Sequence, residues 1–231
     1  MRCIVTDWDY MESLCRRVAE QILNDDFEPE VIVALAKGGW FAGRILCDLL
    51  GLDELTSLKV EHYAGINERK EISVKHVPSD EEIRGKNVLI VDDIANTGMS
   101  IKRAREEIDG LKANDVRTAT LLLLHTSKFI PDYFGECLEE WAWVIFPWNF
   151  VEDMVSLITT VMKESRKDLW TEWDIKWELF RRFSLDPIYL EISQPGRFDE
   201  VLKIMERRGI IYKIEEDDKI YWSLAEEVRR V

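Results

Sequence analysis

Residues Val88 to Ser100 carry the sequence Val-Leu-Ile-Val-Asp-Asp-Ile-Ala-Asn-Thr-Gly-Met-Ser, which predicts a buried strand that ends in two acids. The four apolar residues before Asp92 and Asp93 are of the types that fill strands covered on both faces. A short loop, Asn96 to Ser100, follows, and a helical pattern from Ile101 to Ile108 comes after it. This strand–loop–helix unit would present its carboxylates at the carboxyl end of a strand, where open α/β sheets bind ligands.

The loop after the acids has the composition of an anion cradle. Thr97 and Ser100 supply hydroxyls, Gly98 permits unusual backbone conformations, and the first turn of the next helix leaves backbone N–H groups unpaired. Carboxylates accept hydrogen bonds from ribose hydroxyls, and amides donate to phosphate, so a sugar phosphate is the favoured ligand. A solvated acidic turn is the alternative. We disfavour it because two acids after four apolar residues are costly unless a ligand uses them.

The stretch resembles the phosphoribosyl pyrophosphate (PRPP) signature of the type I phosphoribosyltransferases, in which two acids, two intervening residues and a variable position precede Thr-Gly. The resemblance implies an α/β fold built on a parallel sheet, with a hood over the site. It also implies catalytic roles for Asp92, Asp93 and Asn96, with the two acids on the ribose hydroxyls and the following loop on the 5′-phosphate. The PRPP-binding residues implied are Asp92, Asp93, Ala95, Asn96, Thr97, Gly98, Met99 and Ser100.

A second loop, Ala36-Lys37-Gly38-Gly39, follows the buried-strand run Val31 to Leu35. Two adjacent glycines allow backbone N–H groups to turn towards an anion, and Lys37 adds a positive charge. The loop at this point in the resembled family binds pyrophosphate, often with a cis peptide before the basic residue. We therefore assign pyrophosphate binding to Ala36, Lys37, Gly38 and Gly39, although the triplet alone would be an ordinary turn.

Three residues resemble the base-binding positions of the 6-oxopurine branch of this family. Lys128 follows the strand at Val116 to Leu124, and its ammonium group can only donate, which suits the O6 of a 6-oxopurine. Trp143 and Val144 resemble the hood of bacterial xanthine–guanine enzymes, where the aromatic ring stacks on the base and the next residue contacts it through the backbone. For Trp148 we prefer a place in the core.

The chain departs from the resembled pattern at Asn96, where many 6-oxopurine enzymes have an aspartate that manages the proton on purine N7. Asparagine can hydrogen-bond N7 but cannot accept its proton. The resemblance also implies Mg²⁺, which bridges pyrophosphate and sugar, with Asp93 as the candidate protein ligand through water. A basic loop around Arg69 and Lys70 is a candidate lid, with a solvated hairpin tip as the alternative.

The pattern changes near residue 165, and we predict a phosphoribosyltransferase domain at 1–164 and a winged-helix-like α+β domain at 165–231. In the second part, Trp170 to Phe183 predicts a helix with Trp170, Trp173, Trp177 and Phe180 on one face. A helix at Phe198 to Arg208 and a hairpin follow. The segment from Arg166 to Arg230 holds 13 basic and 15 acidic residues, which favours a packing or dimerisation role over DNA binding.

Composition narrows the partners and the location. The formal net charge of −14 opposes broad binding to nucleic acid or to anionic membranes. The apolar runs are too short to span a bilayer, the first residues lack the apolar region of a signal peptide, and the four scattered cysteines favour buried, reduced thiols. We expect a cytoplasmic enzyme that forms a homodimer, as members of the resembled family commonly do.

The function expected from these features is purine salvage. The enzyme would join PRPP to xanthine, guanine or hypoxanthine, yielding the nucleoside 5′-monophosphate and pyrophosphate. Two alternatives stay open: a PRPP- or nucleotide-sensing regulator whose winged helix binds DNA, and a phosphoribosyltransferase for another base, such as orotate or adenine.

Overall fold

The computed structural model describes residues 1–63, 71–165 and 167–229, which form two compact units. The sheet unit comprises Asp9–Trp141, and the tail unit combines Met1–Trp8 with Ala142–Val231. The helices and strands of the sheet unit, together with the helix that leads into it, are α1 (Trp8–Leu23), β2 (Val31–Ala36), α2 (Gly39–Leu50), β3 (Leu55–Tyr63), β4 (Glu71–Lys75), α3 (Asp80–Ile83), β5 (Asn87–Ala95), α4 (Met99–Gly110), β6 (Asp115–Leu124) and β7 (Tyr133–Leu138).

Six strands of the sheet unit form one sheet in the order β4-β3-β2-β5-β6-β7. All neighbouring pairs are parallel except β3 and β4, which are antiparallel. The chain runs outward in one direction from β2 through β3, and in the other from β5 through β7. The strand order therefore reverses between β2 and β5, and ligands of open α/β sheets bind beside the carboxyl ends of strands at such a reversal.

Both faces of the sheet are covered, which explains the unbroken apolar runs in its central strands. On one face Val33 of β2 and Ile90 of β5 belong to a buried cluster with Ile101 and Ile108 of α4. On the other face α2 packs on β2 through Gly43, where an added Cβ atom would lie 3.0 Å from the Cβ of Ala34. This packing holds the first residues of α2 and α4 at the same end of β2 and β5.

The tail unit has its own helices, strands and core. Its elements are β1 (Cys3–Val5), β8 (Trp143–Ile145), α5 (Phe150–Glu164), α6 (Glu172–Phe183), α7 (Pro187–Ser193), α8 (Arg197–Arg207), β9 (Ile211–Glu216), β10 (Lys219–Leu224) and α9 (Glu226–Arg229). Strands β1 and β8 are parallel, and β9 and β10 form an antiparallel hairpin with positive φ at Asp217 and Asp218. One buried cluster joins β1, β8 and α5 with α6, α8 and the hairpin.

The predicted α/β fold with a largely parallel sheet is confirmed, and a helical appendage with a hairpin follows it. The two compact units divide the chain after Trp8 and after Trp141. The predicted domain boundary at 164/165 stays a prediction. Residues after 165 share a buried cluster with Cys3, Val5 and Phe150. Gln194 Nε2 also donates to the carbonyl oxygen of Thr6 at 2.7 Å. The C-terminal segment is thus packed on the first strand of the chain.

Two expectations about side chains were wrong. Trp170 does not share a face with Trp173, Trp177 and Phe180, because it precedes α6, is 1% exposed and exchanges backbone hydrogen bonds with Trp222. Cys137 is exposed, whereas Cys3, Cys15 and Cys47 are buried free thiols as expected. None of the helices in the described ranges has the length and apolar character of a membrane-spanning segment.

Candidate active site

The loop after β2 has the conformation that the sequence implied. The peptide bond between Ala36 and Lys37 is cis. The Lys37 side chain is exposed, and its carbonyl oxygen accepts a hydrogen bond from Trp40 N at 3.3 Å, which closes the turn into α2. The loop therefore offers one cation and several backbone N–H groups at the carboxyl edge of β2.

Gly38 and Gly39 bring this loop into direct contact with the two acids of β5. A Cβ atom added to Gly38 would lie 2.5 Å from Cγ of Asp93, and one added to Gly39 would lie 2.3 Å from the carbonyl oxygen of Val91, the residue before Asp92. Real Cβ atoms do not approach other atoms so closely, so neither position tolerates a side chain without rearrangement. The structure thus brings together the residues predicted for pyrophosphate and for ribose. They meet because the backbone of the glycine loop lies directly against β5.

Asp92 and Asp93 are half-buried at the end of β5, and Asp93 N donates to Asp92 Oδ1 at 2.9 Å. Burial raises the pKa of Asp92 well above its usual value, and the neighbouring Asp93 carboxylate raises it further. The hydrogen bond from the Asp93 amide acts in the opposite direction. A ligand that donates hydroxyl hydrogen bonds here would relieve the cost of two adjacent carboxylates.

The loop after the acids leads into α4 as a cradle of backbone groups. Gly98 has φ of 72°, a left-handed conformation that favours glycine, and precedes Met99, the first residue of α4. Met99 N lies 3.4 Å from Thr97 Oγ1. Asn96 and Thr97 are exposed, Ser100 is half-buried and Ala95 is buried. The start of α4 therefore presents N–H groups and hydroxyls that suit a phosphate.

The segment after β6 braces this cradle. Lys128 N donates to the carbonyl oxygen of Thr97 at 3.2 Å, and Thr126 Oγ1 lies 3.5 Å from the carbonyl oxygen of Asn96. An added Cβ atom on Gly98 would lie 2.7 Å from both Phe129 Cβ and Ser127 Oγ. Gly98 is therefore required for space as well as for conformation, and this segment places the backbone of Lys128 beside the loop that leads into α4.

Sequence reasoning assigned no role to Thr126, Ser127 or Phe129. Their contacts span about thirty residues of chain, and nothing in a Thr-Ser-Lys-Phe run indicates which loop it will meet. Gly98 was the one sequence feature that could have indicated these contacts. A glycine in a turn can indicate close approach of another segment as well as a left-handed conformation.

Trp143 and Val144 belong to the tail unit. Val144 is buried, and Trp143 is 45% exposed. Trp143 Nε1 donates to Asp153 Oδ1 at 3.3 Å, and Asn149 donates to the other oxygen of Asp153 at 3.0 Å. Burial raises the pKa of Asp153, while these two hydrogen bonds act in the opposite direction. The indole is therefore oriented by α5, and its exposed part borders a cavity of about 210 Å³ lined in part by Asp153 and Thr160.

Trp148 is half-buried in the tail unit and stacks on Phe146, with ring centroids 4.8 Å apart and an interplanar angle of 10°. The centroid of Trp8 lies 5.9 Å from that of Trp148. These aromatic contacts agree with the packing role preferred for Trp148.

The arrangement suits a metal ion that takes most of its ligands from substrate. Within the described ranges, no group of three or more His, Cys, Asp or Glu side chains could hold a metal on its own. Asp92 and Asp93 supply oxygen donors at the end of β5, which are the donors that Mg²⁺ prefers, and Mg²⁺ commonly binds through one or two carboxylates plus phosphate oxygens and water. The residues present therefore fit such an ion, with Asp93 as the candidate contact. The candidate lid around Arg69 and Lys70 lies outside the described residues.

A family model described as phosphoribosyl transferase domain matches residues 4–153, a span that contains every strand of the sheet unit and the loops that follow β2 and β5. The chain belongs to the phosphoribosyl transferase family. The predicted resemblance to the type I phosphoribosyltransferases is thereby confirmed, and the chain belongs to a family of glycosyltransferases. The matched span ends before α6, so the helices and hairpin that follow lie outside it.

Three related proteins place the chain within this family. It is 28% identical to the purine phosphoribosyltransferase of Pyrococcus horikoshii Ot3, whose structure superposes with a TM-score of 0.57 over 64% of this chain and 95% of that one. It is 26% identical over 145 residues to xanthine-guanine phosphoribosyltransferase of Vibrio vulnificus, covering 63% of this chain and 88% of the relative. Human phosphoribosyltransferase domain-containing protein 1 is 29% identical over 133 residues, 52% of this chain, and the match spans 59% of that protein's length.

Proposed function

We propose that the protein transfers the 5-phosphoribosyl group of PRPP to a 6-oxopurine base, releasing pyrophosphate and forming the nucleoside 5′-monophosphate. The observation that carries this proposal is the contact between the glycine loop after β2 and the tandem acids of β5. Gly38 lies directly against the Asp93 carboxylate, so a pyrophosphate held by Lys37 and the loop amides would lie beside hydroxyls held by the acids.

The transfer breaks the bond between the anomeric carbon and a pyrophosphate oxygen, and forms one between that carbon and a ring nitrogen of the base. The nitrogen loses its proton, and pyrophosphate leaves with the electron pair of the broken bond. We assign the ribose hydroxyls to Asp92 and Asp93, and the 5′-phosphate to the cradle that begins at Asn96. Their contribution is to position the sugar and to stabilise the charge that separates as the leaving group departs.

Mg²⁺ would neutralise part of the charge on pyrophosphate when it is bound. Asp93 is the residue that we expect to contact it, through water, while Asp92 accepts from a ribose hydroxyl.

We assign recognition of the base to Lys128. Its backbone is fixed to the phosphate cradle through Thr97, and its exposed side chain can donate to a carbonyl oxygen of the base. Relatives named as purine and xanthine-guanine phosphoribosyltransferases support a 6-oxopurine. The stacking role of Trp143 and the backbone role of Val144 stay predictions from the family resemblance, as do a cytoplasmic location and the homodimer.

The proposal is tested by measuring pyrophosphate release from PRPP and Mg²⁺ with xanthine, guanine, hypoxanthine and adenine in parallel. We expect turnover with at least one 6-oxopurine and little with adenine, because the ammonium of Lys128 cannot accept from a 6-amino group. Adenine as the best substrate would overturn the role of Lys128. Absence of turnover with all four bases, in protein that binds PRPP, would overturn the enzymatic assignment.

Asn96 gives a second test of the chemistry. An amide cannot take the proton of the base, so proton loss to water is the route that we expect in the native protein. The Asn96→Asp variant should raise turnover if proton removal from the base limits the reaction. It should leave turnover unchanged if breakage of the bond between the anomeric carbon and pyrophosphate limits it. Asn96→Ala serves as the control for loss of hydrogen bonding at this position.

A regulator that binds DNA is the competing function. Asn96 and the helix–hairpin order of the tail unit motivate it, but the end of β9 and the turn into β10 carry Glu215, Glu216, Asp217 and Asp218, which a DNA phosphate would repel. A salt-dependent mobility shift with a specific DNA, combined with the absence of turnover, would favour the regulator.

A further inference from the structure

Helix α6 is apolar on two faces, although a surface helix needs only one apolar face to pack on its core. Ile175, Leu179 and Phe183 are buried in the cluster that fills the tail unit. A second set, Trp173, Trp177 and Phe180, follows the spacing i, i+4 and i+7 along the same helix. Residues with that spacing form one stripe, so α6 carries an apolar stripe that its own core does not use.

The stripe Trp173–Trp177–Phe180 is exposed along its whole length. The exposed fractions are 62% for Trp173, 54% for Trp177 and 40% for Phe180. The rings of Trp177 and Phe180 are in edge contact, with centroids 5.7 Å apart, so the stripe has an ordered surface. Contiguous apolar surface of this kind, rimmed by charges, marks a protein interaction site.

The charges that rim the stripe have opposite signs at its two ends. Asp174 and Arg181 are seven residues apart, about two helical turns, and therefore flank the stripe on the same side. Asp174 lies three residues before Trp177, and Arg181 lies four residues after it. The first turn of α6 is acidic and its last turn is basic, which makes the rim self-complementary when a second α6 runs in the opposite direction.

We propose that α6 is an isologous interface through which two copies of this chain associate, with the two helices antiparallel and the two-fold axis close to Trp177. This orientation places Asp174 of each copy opposite Arg181 of the other, and buries the two aromatic stripes against each other. A parallel pairing would instead set acidic end against acidic end. The proposal does not depend on the catalytic assignment.

Present contacts of the rim residues leave capacity for this pairing. One oxygen of Asp174 accepts from Lys167 Nζ at 2.7 Å and from the capping residue Thr171. Arg181 donates to Glu178 through one nitrogen, and its side chain is 72% exposed. A carboxylate accepts several hydrogen bonds and a guanidinium has five N–H donors, so the pairing adds to these contacts without replacing them.

The chemistry of the stripe favours a second copy over nucleic acid. The hairpin turn of the same unit is acidic, and the helix itself has as many acidic as basic side chains, with Glu172, Asp174 and Glu178 balancing Lys176, Arg181 and Arg182. A polyanion would find no consistent positive surface there. The antiparallel copy of α6 satisfies both the aromatic stripe and the charges at its ends.

Sedimentation equilibrium over a roughly hundredfold range of protein concentration tests this interface. We expect a reversible dimer for the native chain. Trp177→Glu should weaken it at least about 100-fold, because a buried aromatic at the centre of the interface is replaced by a charge. Arg181→Glu should weaken it about 10-fold, since two symmetric ion pairs become repulsive. The control is Tyr212→Glu, an equally exposed aromatic on β9, which should leave the dimer unchanged.

A native monomer at every concentration, or a dimer that both Trp177→Glu and Arg181→Glu leave intact, would overturn the proposal. Far-ultraviolet circular dichroism establishes whether each variant is folded. The conservative Arg181→Lys variant gives a test that survives misfolding of the others. Treated with a zero-length carbodiimide, it should yield an isopeptide between Asp174 of one copy and position 181 of an isotope-labelled second copy. Cross-linked dimer without that peptide would exclude the antiparallel arrangement.

Discussion

The sheet unit and the tail unit differ in the size and the burial of the residues that we assign to function. In the sheet unit, polar and small residues lie at strand ends, where the glycine loop after β2 is so close to the Asp93 carboxylate of β5 that a Cβ atom on Gly38 would overlap it. In the tail unit, the unexplained residues are large aromatics on the surface, such as Trp173 and Trp177. The difference teaches that the proposed ligand site depends on close backbone approach, whereas the proposed interface depends on exposed side chains.

Two tryptophans of the tail unit make the sharpest form of this comparison. Trp170 is 1% exposed and belongs to the core cluster, and its indole N–H donates to the carbonyl oxygen of Lys167 at 2.9 Å. Trp177, one element later, is 54% exposed. The two residues are chemically identical, so any difference between their variants reports the place of each in the fold.

The largest expected effect is on stability. Trp170→Ala should lower the free energy of unfolding by about 3–5 kcal/mol, because it leaves a cavity in the core of the tail unit. Trp177→Ala, measured at a concentration where the protein is monomeric, should change it by less than about 0.5 kcal/mol. Urea denaturation followed by circular dichroism measures both. Equal losses for the two variants would remove the distinction between core and surface aromatics.

The next effect concerns catalysis. Gly38→Ala should lower kcat/KM for PRPP by about 100-fold or more, because the new methyl group displaces the Asp93 carboxylate or the loop itself. Gly110→Ala is the matched control, since Gly110 ends α4 with nothing within 4 Å of its added Cβ. Steady-state kinetics with saturating base gives the comparison. A Gly38→Ala enzyme with native kinetics would mean that the two loops do not act as one site.

A smaller effect is expected on base selection. Lys128→Ala should lower kcat/KM for the preferred 6-oxopurine by about 10- to 100-fold and leave the low activity with adenine unchanged, because a single donor to the base is lost. KM for PRPP should change little, since the backbone of Lys128 still braces Thr97. Lys203→Ala, at an exposed lysine of α8, is the control. A parallel loss with every base would assign Lys128 to folding or to PRPP instead.

The smallest effect links the site to pH. Burial raises the pKa of Asp92 in the folded protein. The native state therefore binds more protons than the unfolded state above about pH 4. The free energy of unfolding falls as pH rises from there through the raised pKa of Asp92. Asp92→Asn stays neutral, so it should be more stable than native protein at pH 8 by about 1 kcal/mol, or roughly 2–4 °C in Tm. This gain should vanish below about pH 3, where the carboxyl group is protonated in both the folded and the unfolded chain.

Differential scanning calorimetry at several pH values measures that dependence, with the exposed Asp109→Asn as control. Activity should fall in Asp92→Asn even as stability rises, since a residue kept for a ligand is a cost to the free fold. A variant less stable than native at pH 8 would show that the Asp92 carboxylate is compensated before ligand binds.

Local sequence was sufficient for the elements that carry the motif. The predicted strand before Asp92 and the predicted helix at Ile101 to Ile108 are confirmed as parts of β5 and α4, because apolar periodicity and a glycine turn act within one short segment. The predicted hairpin is confirmed as β9 and β10 for the same reason. Site roles are assigned to these residues as proposals, which only binding and kinetics can test.

Short elements that depend on distant partners were not predicted. Strands β1 and β8 have three residues each and pair across about 140 residues of chain, so neither carries a local signal. Strand β7 contains Gly135, a residue type that is depleted in strands. In the structure that glycine gives room to Leu14 of α1, whose Cβ would lie 2.9 Å from an added Cβ. Close packing with a helix explains the glycine.

The sequence by itself determined the alternation of buried strands and helices, the tandem acids and the glycines that follow them, because each is a property of a few consecutive residues. Tertiary structure alone decided that Gly38 contacts Asp93, that Thr126 and Lys128 contact the loop before α4, and that Trp170 is buried while Trp177 is not. Both faces of α6 are apolar with helical spacing, so periodicity cannot choose between them. Packing in the tertiary structure decides which face is buried, because only the side chains of one face fill the volume of the core.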